Sequence, residues 1–240
     1  MPLIEKEVKK LFDAKIIVSL RFSKWVVNLV PVRKKNGEIS LRVDFKKLNI
    51  VSLKENYPLP KMDNILQKVV GSQKMSMLDG FSGYNQILVH LDDREKTTFM
   101  IPWGTFMYVK IPFGLMNTRA TFQRAMGIAF AEEKDRFVVI YLDDITIFSK
   151  TDDEHIKHLE QVLKKCRKFG ILLNPKKSNF VRDEGKLLRH IISKDGIKID
   201  PSRVEATMKI DIPQKKRKSV VIYWKGKFFE EVFTKFCRNL

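Results

Sequence analysis

Two adjacent aspartates interrupt an apolar stretch that reads FVVIYLDDITIF and spans residues 137–148. The β-branched and aromatic residues on both sides favour strands, so the pattern predicts a β-hairpin with Asp143 and Asp144 at its turn. Neighbouring carboxylates repel each other, and hard Mg²⁺ relieves that repulsion because it prefers carboxylate oxygens. An isolated Asp-Asp pair is also a good turn sequence, so a plain turn remains an alternative for the pair taken alone.

A third aspartate has a similar setting earlier in the chain. Asp79 follows a predicted strand at residues 74–78 and precedes the sequence GFSGY, residues 80–84. Glycines at 80 and 83 let backbone amides approach a ligand, and successive amides form a nest suited to a triphosphate. Strand-end carboxylates beside such a nest indicate two-metal phosphoryl transfer. The alternative for Asp79 alone is a helix N-cap.

The charge of the chain indicates a polyanionic partner. Its 240 residues include 46 Lys and Arg against 28 Asp and Glu, a formal net charge of +18. Nucleic acid is the most common partner of such a chain, although ribosomal, chromatin and membrane-surface proteins share the basic excess. Residues 214–240 contribute eight basic and two acidic side chains to it.

Cysteine usage and hydropathy bear on the compartment. Cys166 and Cys237 form no CxxC motif and no disulfide framework, which favours a reducing environment, and Cys166 fits a small core residue. The start of the chain is charged rather than continuously apolar, and the most apolar run, residues 137–142, is too short to span a bilayer. We therefore expect an intracellular protein that is neither secreted nor membrane-bound.

Hydrophobic periodicity predicts alternating helices and strands and no internal repeat, which indicates an α+β fold. Besides the 137–148 hairpin and the 74–78 strand, we expect hairpins at 25–45 and 99–111, helices at 1–12, 62–69, 121–133 and 152–169, a strand from 171 to 173 and a helix after Pro201. Gly170 caps the 152–169 helix. On that helix, His155 and His158 fit a solvated face better than a metal site, because no third ligand is apparent.

Several ordered motifs carry a family resemblance. They are Val43-Asp44-Phe45, Leu48-Asn49, Tyr57-Pro58-Leu59-Pro60, Leu78-Asp79, Gly83-Tyr84-Asn85-Gln86-Ile87, Lys96-Thr97, Pro112-Phe113-Gly114-Leu115, Ala120-Thr121-Phe122-Gln123-Arg124, Tyr141-Leu142-Asp143-Asp144, His155 followed by Leu159, Leu173-Asn174-Pro175-Lys176-Lys177 and Asp195-Gly196-Ile197. In order and spacing, from about residue 2 to 213, the chain resembles the reverse transcriptases of gypsy-type (Metaviridae) LTR retrotransposons, especially plant elements.

The resemblance implies an α+β right-hand polymerase fold. Fingers would comprise residues 1–54 and 87–117, and palm residues 55–86 and 118–200. An antiparallel palm sheet would carry the YLDD hairpin. Residues 201–240 would hold a truncated thumb start and an atypical basic tail.

The resemblance also implies roles for individual residues. Catalysis would fall to Asp79, Asp143 and Asp144, and two Mg²⁺ ions, which Mn²⁺ could replace, would bind these side chains and the Gly80 carbonyl. The residues implied in nucleotide binding are Lys34, Lys35, Arg42, Ser82, Gly83, Tyr84, Phe113 and Gly114. Those implied in template or primer binding are Gln123, Arg124, Tyr141 and His190. Tyr84 would exclude a 2′-hydroxyl, with a core tyrosine as its alternative, and the two lysines could instead form a solvated turn.

The implied activity is RNA-directed DNA polymerisation with deoxynucleoside triphosphates on a primed RNA or DNA template, in a cytoplasmic virus-like particle or the nucleus. Two alternatives stay open, and so does the oligomeric state. The first is a decayed remnant that only binds nucleic acid. Three departures from the family pattern favour it, together with the loss of resemblance after Pro213. Ser40 stands where the family usually has an arginine, and Arg119 stands where it prefers a small residue or proline. Arg189 replaces a glycine in a turn that holds the primer terminus, and an arginine adopts the positive φ of that glycine only at a cost. The second is a palm-fold nucleotide cyclase, which should lack the finger hairpin and residues 112–115.

Overall fold

Strands from distant parts of the sequence assemble into sheets in the computed structural model, which describes residues 2–33, 37, 39–81 and 83–208. The strands are β1 Ile17–Ser19, β2 Val27–Arg33, β3 Ile39–Val43, β4 Lys74–Asp79, β5 Phe99–Ile101, β6 Gly104–Tyr108, β7 Val138–Tyr141, β8 Asp144–Ser149, β9 Asn179–Arg182, β10 Glu184–Leu187, β11 His190–Ser193 and β12 Gly196–Ile199. Over the described residues they form sheets of order β1-β6-β5-β2-β3, β7-β8-β4-β9 and β10-β11-β12.

The helices are α1 Pro2–Asp13, α2 Lys46–Val51, α3 Met62–Val69, α4 Leu91–Arg94, α5 Thr118–Ala129, α6 Asp152–Phe169 and α7 Pro201–Met208, and short 3-10 turns cover Gly83–Gln86 and Glu95–Thr97. Within the described ranges, no helix combines the length and the apolar character needed to cross a membrane. Helices and mainly antiparallel sheets confirm the predicted α+β class.

The four-stranded sheet carries the aspartates and is antiparallel throughout. Its β7–β8 hairpin confirms the pattern of residues 137–148. The predicted turn is displaced by one residue, however, because Asp144 is the first residue of β8 and pairs with Tyr141. The turn therefore consists of Leu142 and Asp143. The main apolar cluster packs side chains of this sheet against α5 and α6.

The five-stranded sheet draws its strands from residues 17–43 and 99–108. Both segments fall within the predicted fingers, although the subdomain boundaries themselves stay a prediction. The β2–β3 and β5–β6 hairpins were expected from the sequence. A parallel pairing of β2 with β5 joins them, and α1 packs on the sheet around the fully buried Ile17 and Phe99.

The three-stranded sheet is a short meander that packs on α3 through Leu187 and Ile192. Its β10–β11 turn places Leu188 at φ 49° and Arg189 at φ 68°. The family has a glycine at the position of Arg189, which predicts a positive φ there, and the structure has one. Glycine tolerates this conformation freely, whereas an arginine there is strained.

Helix α6 has the predicted bounds and the predicted Gly170 cap, and Thr151 caps its start. The Thr151 side chain accepts a hydrogen bond from the Glu154 amide at its start, and Gly170 ends it at φ 66°. Cys166 is buried in the core, as predicted. The helix predicted at 121–133 is present as α5, but it begins at Thr118 and ends at Ala129. One expectation was wrong, because Leu173 makes only an isolated bridge with Gly80 rather than starting a strand.

The histidines of α6 do not lie on a solvated face. His155 is fully buried, with Nε2 bonded to the Ser76 hydroxyl at 2.8 Å and Nδ1 to the Ser149 hydroxyl at 3.0 Å. His158 stacks on Phe137 with 3.9 Å between ring centroids. The prediction was wrong because α6 packs on the sheet through the side that holds His155.

Candidate active site

Three aspartates meet at one end of the four-stranded sheet. Asp79 ends β4 and lies opposite Asp144, which begins β8. Asp143 occupies the preceding turn, and its backbone carbonyl accepts a hydrogen bond of 3.0 Å from the Gly80 amide. The hairpin turn and the loop after β4 are therefore fixed to each other, with all three carboxylates at this end.

The Asp143 carboxylate is closely packed and partly shielded from water. Its Oδ1 is buried without a hydrogen-bond partner among the described residues. A Cβ built on Gly83 would lie 2.6 Å from that oxygen, so any other residue at position 83 would displace the Asp143 carboxylate. Burial, followed by the charges of Asp144 and Asp79, raises the pKa of Asp143 to about 6.

Asp144 is perturbed in the same direction. Burial and then the Asp79 charge raise its pKa. Lys177 acts in the opposite direction, with its Nζ 3.9 Å from an oxygen of Asp79. Reasoning from sequence placed Lys177 in a matching motif but gave it no site role. Its position two residues after Pro175 could not be related to Asp79 without the fold.

The loop that carries Lys177 also anchors Asp79. The Asn174 amide donates to the Asp79 carbonyl at 2.8 Å, and the Asp79 amide donates to the Ser178 hydroxyl at 3.2 Å. These contacts fix the end of β4 from the side opposite the hairpin.

The residues present suit a divalent cation. Mg²⁺ takes carboxylate, carbonyl and water oxygens, and this end of the sheet offers three carboxylates and the Gly80 carbonyl. The unpartnered Oδ1 of Asp143 is the strongest sign, because a buried charged oxygen requires compensation. Within the described residues, no three His, Cys, Asp or Glu side chains already converge closely enough to hold a metal. The acids lie side by side at strand ends rather than around one point.

The predicted amide nest after Asp79 is not present in the described residues. The Gly80 amide donates to Asp143, the Phe81 amide to Leu172 at 2.8 Å, and the Gly83 amide to Gly80 at 3.3 Å. These three donors are thus occupied by backbone carbonyls. Ser82, predicted to bind nucleotide, lies outside the described residues. Gly83 instead leaves room for the Asp143 carboxylate, a contact that the sequence could not reveal.

Tyr84 lies in an aromatic cluster beside Asp143. Its ring meets Phe113 edge-on at 5.1 Å and Phe122 edge-on at 5.3 Å, and the residue is only 7% exposed. Burial and then the charge of Asp143 raise the pKa of its phenol, while Arg119 acts against that shift. Tyr84 is therefore packed as a core tyrosine, which was the alternative to the sugar-excluding role. Because it also lies beside Asp143, the sugar-excluding role stays a prediction.

The other residues predicted to contact nucleotide surround this cluster or lie farther out. Phe113 is half exposed, and Gly114 adopts φ 104° in a loop where its carbonyl accepts from the Asn49 side chain at 2.8 Å. Arg42 is exposed on β3. Lys34 and Lys35, at the tip of the finger hairpin, lie outside the described residues.

Gln123, predicted to face the template, is buried beneath the β7–β8 hairpin with 1% exposure. Its amide bonds to the backbone of Ile140 and Leu142, so we reassign it from template contact to an internal position. His190 is also buried, and its Nδ1 bonds the Leu188 carbonyl at 3.0 Å. That bond places it inside the 188–189 turn rather than on a primer-facing surface.

Two template or primer candidates remain partly accessible. Arg124 is paired with Glu55 at 2.7 Å and lies over the ring of Tyr57 at 5.5 Å. Tyr141 precedes the turn formed by Leu142 and Asp143 and is half-buried against the α3 cluster. Their contacts with nucleic acid stay a prediction.

An antiparallel sheet with three acids at adjoining strand ends defines a class, the palm-type nucleotidyltransferases. Residues 32–199 match the family model described as reverse transcriptase (RNA-dependent DNA polymerase). The chain belongs to the reverse transcriptase family.

Curated relatives agree with this assignment. The chain is 34% identical over 178 residues to the retrovirus-related Pol polyprotein from transposon gypsy of Drosophila melanogaster, covering 74% of this chain and 17% of that protein. It is 36% identical over 173 residues to the transposon Tf2-3 polyprotein of Schizosaccharomyces pombe, covering 71% of this chain and 13% of that protein. The chain thus spans less than a fifth of either relative, one of which is a gypsy-type element of a fly and the other an element of a fission yeast. They do not test the resemblance to plant elements.

Solved structures show the same fold. A foamy viral protease-reverse transcriptase in complex with dsDNA superposes with a TM-score of 0.85 at 22% identity, covering 95% of this chain and 47% of that one. The corresponding protein in complex with an RNA/DNA hybrid gives a TM-score of 0.81 at 21% identity, covering 92% and 30%. The right-hand polymerase fold inferred from the motifs is thereby confirmed.

Proposed function

We propose that this chain is the fingers-and-palm part of an RNA-directed DNA polymerase that adds deoxynucleotides to a primer 3′-end. One observation carries the proposal. The buried, unpartnered Oδ1 of Asp143 lies beside the directly opposed Asp79 and Asp144. Such a cluster of acids is costly in a metal-free protein and suits a site that binds cations during catalysis.

The cation in this proposal is Mg²⁺, with two ions bound and Mn²⁺ as a substitute. When bound, the ions would supply Lewis acidity and neutralise charge on the triphosphate. The protein residues would orient the reactants. Asp79, Asp143 and Asp144 would hold the ions, and the Gly80 carbonyl would be a further oxygen ligand. Tyr84 would lie under the nucleotide sugar, and the Tyr84–Phe113 edge would form the wall of that pocket.

The partners in this proposal are a primed RNA or DNA template and deoxynucleoside triphosphates. The +18 charge of the chain supports a phosphate backbone as partner, because basic side chains attract polyanions irrespective of sequence. The solved relatives named above include complexes with dsDNA and with an RNA/DNA hybrid, which supports the same class of ligand.

Primer extension by the purified 240-residue chain tests the proposal. The expected result is Mg²⁺-dependent extension of a DNA primer on an RNA homopolymer. Asp143→Asn should abolish it, while primer–template affinity and the folded structure persist. Asp195→Asn, in the exposed β11–β12 turn, is the matched control and should extend normally. The proposal is wrong if Asp143→Asn extends as well as the unmodified chain.

One observation favours a second candidate, a nucleic-acid-binding remnant without polymerase activity. Arg189 occupies a left-handed backbone position in the turn that the family resemblance assigns to the primer terminus. An arginine there adds strain and bulk where the family has glycine. Tight primer–template binding with no extension under any metal would support the remnant over the enzyme.

A further inference from the structure

The hairpin turn that carries Asp143 contains a strained leucine. Leu142 has φ 56° and is the first of the two turn residues between the paired Tyr141 and Asp144. The first position of such a turn favours glycine when its φ is positive. A leucine stays in this conformation only when its surroundings hold it there.

Gln123 of α5 provides that hold. Its side-chain Nε2 donates to the Ile140 carbonyl at 3.0 Å, and its Oε1 accepts from the Leu142 amide at 2.9 Å. One amide group therefore binds the backbone on both sides of Tyr141. At 1% exposure, these bonds are shielded from competing water.

The other side of the turn is fixed by the loop after β4. The Asp143 carbonyl accepts from the Gly80 amide at 3.0 Å, and its carboxylate lies against Gly83. The turn is thus held between α5 and residues 80–83. A change in the Leu142 backbone would rotate Asp143 away from both contacts and from its neighbouring acids.

We propose that Gln123 is a positioning residue that keeps Leu142 in its left-handed conformation and thereby places the Asp143 carboxylate. The role assigned to Asp143 rests on the proposed function, but the hold on Leu142 does not. If Gln123 were merely structural, its replacement would destabilise the core as a whole and would not affect the Leu142–Asp143 turn more than other parts of the core.

The primary test is Gln123→Met, which keeps the length of the side chain and removes both hydrogen bonds. Amide hydrogen exchange at Leu142 should accelerate by about tenfold, as the loss of two hydrogen bonds implies. Mn²⁺ affinity, measured without nucleotide, should weaken by at least about tenfold because Asp143 is displaced. In primer extension, kcat should fall while the KM for deoxynucleotide changes little.

Leu142→Gly supplies the rescue, because glycine adopts a positive φ without strain and so does not need the Gln123 hydrogen bonds. In the Gln123→Met background, it should recover much of the lost Mn²⁺ affinity and extension. A merely structural role predicts no such recovery, since the cavity and unpaired polar groups beneath the hairpin remain. Failure of Leu142→Gly to recover either readout would overturn the proposal.

Met126→Ala is the matched control, because Met126 is a buried α5 residue one turn beyond Gln123. It should destabilise the core and leave the Mn²⁺ affinity at the value of the unmodified chain. Amide exchange at Leu142 should accelerate no more than exchange at other core amides. If Gln123→Met does not fold, Gln123→Asn replaces it, because the shorter amide cannot span both contacts. Normal exchange at Leu142 in that variant would refute the hold.

The two proposals fail separately. If the unmodified chain extends no primer, the polymerase proposal fails, whereas Leu142 exchange and Mn²⁺ affinity still decide the role of Gln123. If extension is robust and Gln123→Met matches the unmodified chain in all readouts, only the positioning role is lost.

Discussion

Asp79 and Asp144 face each other directly across the antiparallel pair of β4 and β8. Side chains in such positions have Cβ atoms about 4.5–5.5 Å apart, and like charges there destabilise the sheet. Asp143 adds a third carboxylate whose Oδ1 is buried and unpartnered within the described residues. The metal-free fold therefore carries an electrostatic cost at this end, and that cost is open to measurement.

Asp143→Asn should stabilise the metal-free protein at neutral pH. The folded-state pKa of Asp143 is about 6, above its ordinary value of 3.8, so the folded state binds more protons between these values. Stability linked to this group is present below about pH 4 and is lost as pH rises through 6. Allowing for solvent screening, removal of the charge should add about 1–2 kcal/mol at pH 7.

Thermal unfolding in a chelator, then in excess Mg²⁺, measures this effect. Mg²⁺ should raise the Tm of the unmodified chain and leave that of Asp143→Asn nearly unchanged. Asp195→Asn, in an exposed turn, should behave like the unmodified chain in both conditions. A Tm for Asp143→Asn below that of the unmodified chain in chelator would contradict the electrostatic account.

Tyr84→Ala should relax sugar discrimination more than it slows deoxynucleotide addition. Removal of the ring opens space where a 2′-hydroxyl would lie, so the ratio of ribonucleotide to deoxynucleotide incorporation should rise by about tenfold or more. The same change leaves a cavity against Phe113 and Phe122 and should cost about 3–5 kcal/mol of stability.

Phe122→Ala separates the two effects, because it opens a similar cavity in the same aromatic cluster from the α5 side. It should lower stability comparably and leave the incorporation ratio unchanged. Equal ratios in both variants would reassign Tyr84 to the core alone.

Binding to a primer–template should be sensitive to salt and indifferent to sequence. Each phosphate neutralised contributes a slope of about −0.9 in log affinity against log salt. Fluorescence anisotropy at several salt concentrations gives this slope on two unrelated duplexes. A chain that ends at Pro213 lacks eight basic residues, so comparing its slope separates the tail from the rest of the surface. A flat affinity for the full chain would argue against a nucleic-acid partner.

His155 should make the fold lose stability in mild acid. Burial and then the charge of His158 lower its pKa from 6.5, with Lys74 acting in the same direction and Asp152 opposing. The unfolded chain therefore binds the proton more readily, and stability is lost as pH falls below about 6.5. The buried imidazole bonds the hydroxyls of Ser76 and Ser149, which tie α6 to β4 and β8.

Urea unfolding at pH 7.5 and 5.5 measures the loss. His155→Gln should be less stable than the unmodified chain at the higher pH and show a smaller loss on acidification. His90→Gln is the control, because His90 is largely exposed. If acidification weakens His155→Gln as much as the unmodified chain, another group is responsible.

Local sequence patterns predicted much of the fold. Alternating or continuous apolar runs gave the main hairpins, and periodicity with a capping glycine gave α6. Two failures share one cause, which is that packing partners are invisible in the sequence. His155 was misplaced because its serine partners lie on other strands. Residues 171–173 have strand composition but gain only one bridge, to Gly80.

Sequence motifs predicted the acidic residues of the candidate site but not the contacts that hold them. Adjacent carboxylates and strand ends indicated Asp79, Asp143 and Asp144 as one cluster, which the fold brings together. The contacts around them could not be foreseen. Gln123 reaches the hairpin from α5, and Lys177 approaches Asp79 from a loop almost one hundred residues later in the chain. Such pairs depend on tertiary geometry, which no local pattern encodes.

Arg189→Gly should stabilise the protein irrespective of any activity. Arg189 has φ 68°, and relief of that strain is worth about 1 kcal/mol or more, part of which the added freedom of glycine in the unfolded chain offsets. Urea unfolding measures the gain. Leu188→Gly, at φ 49° in the same turn, is the paired comparison and should give a smaller gain or a loss, because Leu188 also packs against the α3 cluster.

The same substitution, combined with Ser40→Arg, tests whether the departures from the family pattern are lesions. Ser40→Arg should lower the KM for nucleotide, because a guanidinium on β3 adds a charged hydrogen bond to the triphosphate, worth about 1.5–3 kcal/mol. Arg189→Gly should instead improve use of the primer end, since it restores the turn that would position the 3′-hydroxyl. The two changes act on different substrates, so their effects on extension should add. If neither raises extension when a family thumb is supplied, these residues are not lesions, and any inactivity comes from the parts of the relatives that this chain does not span.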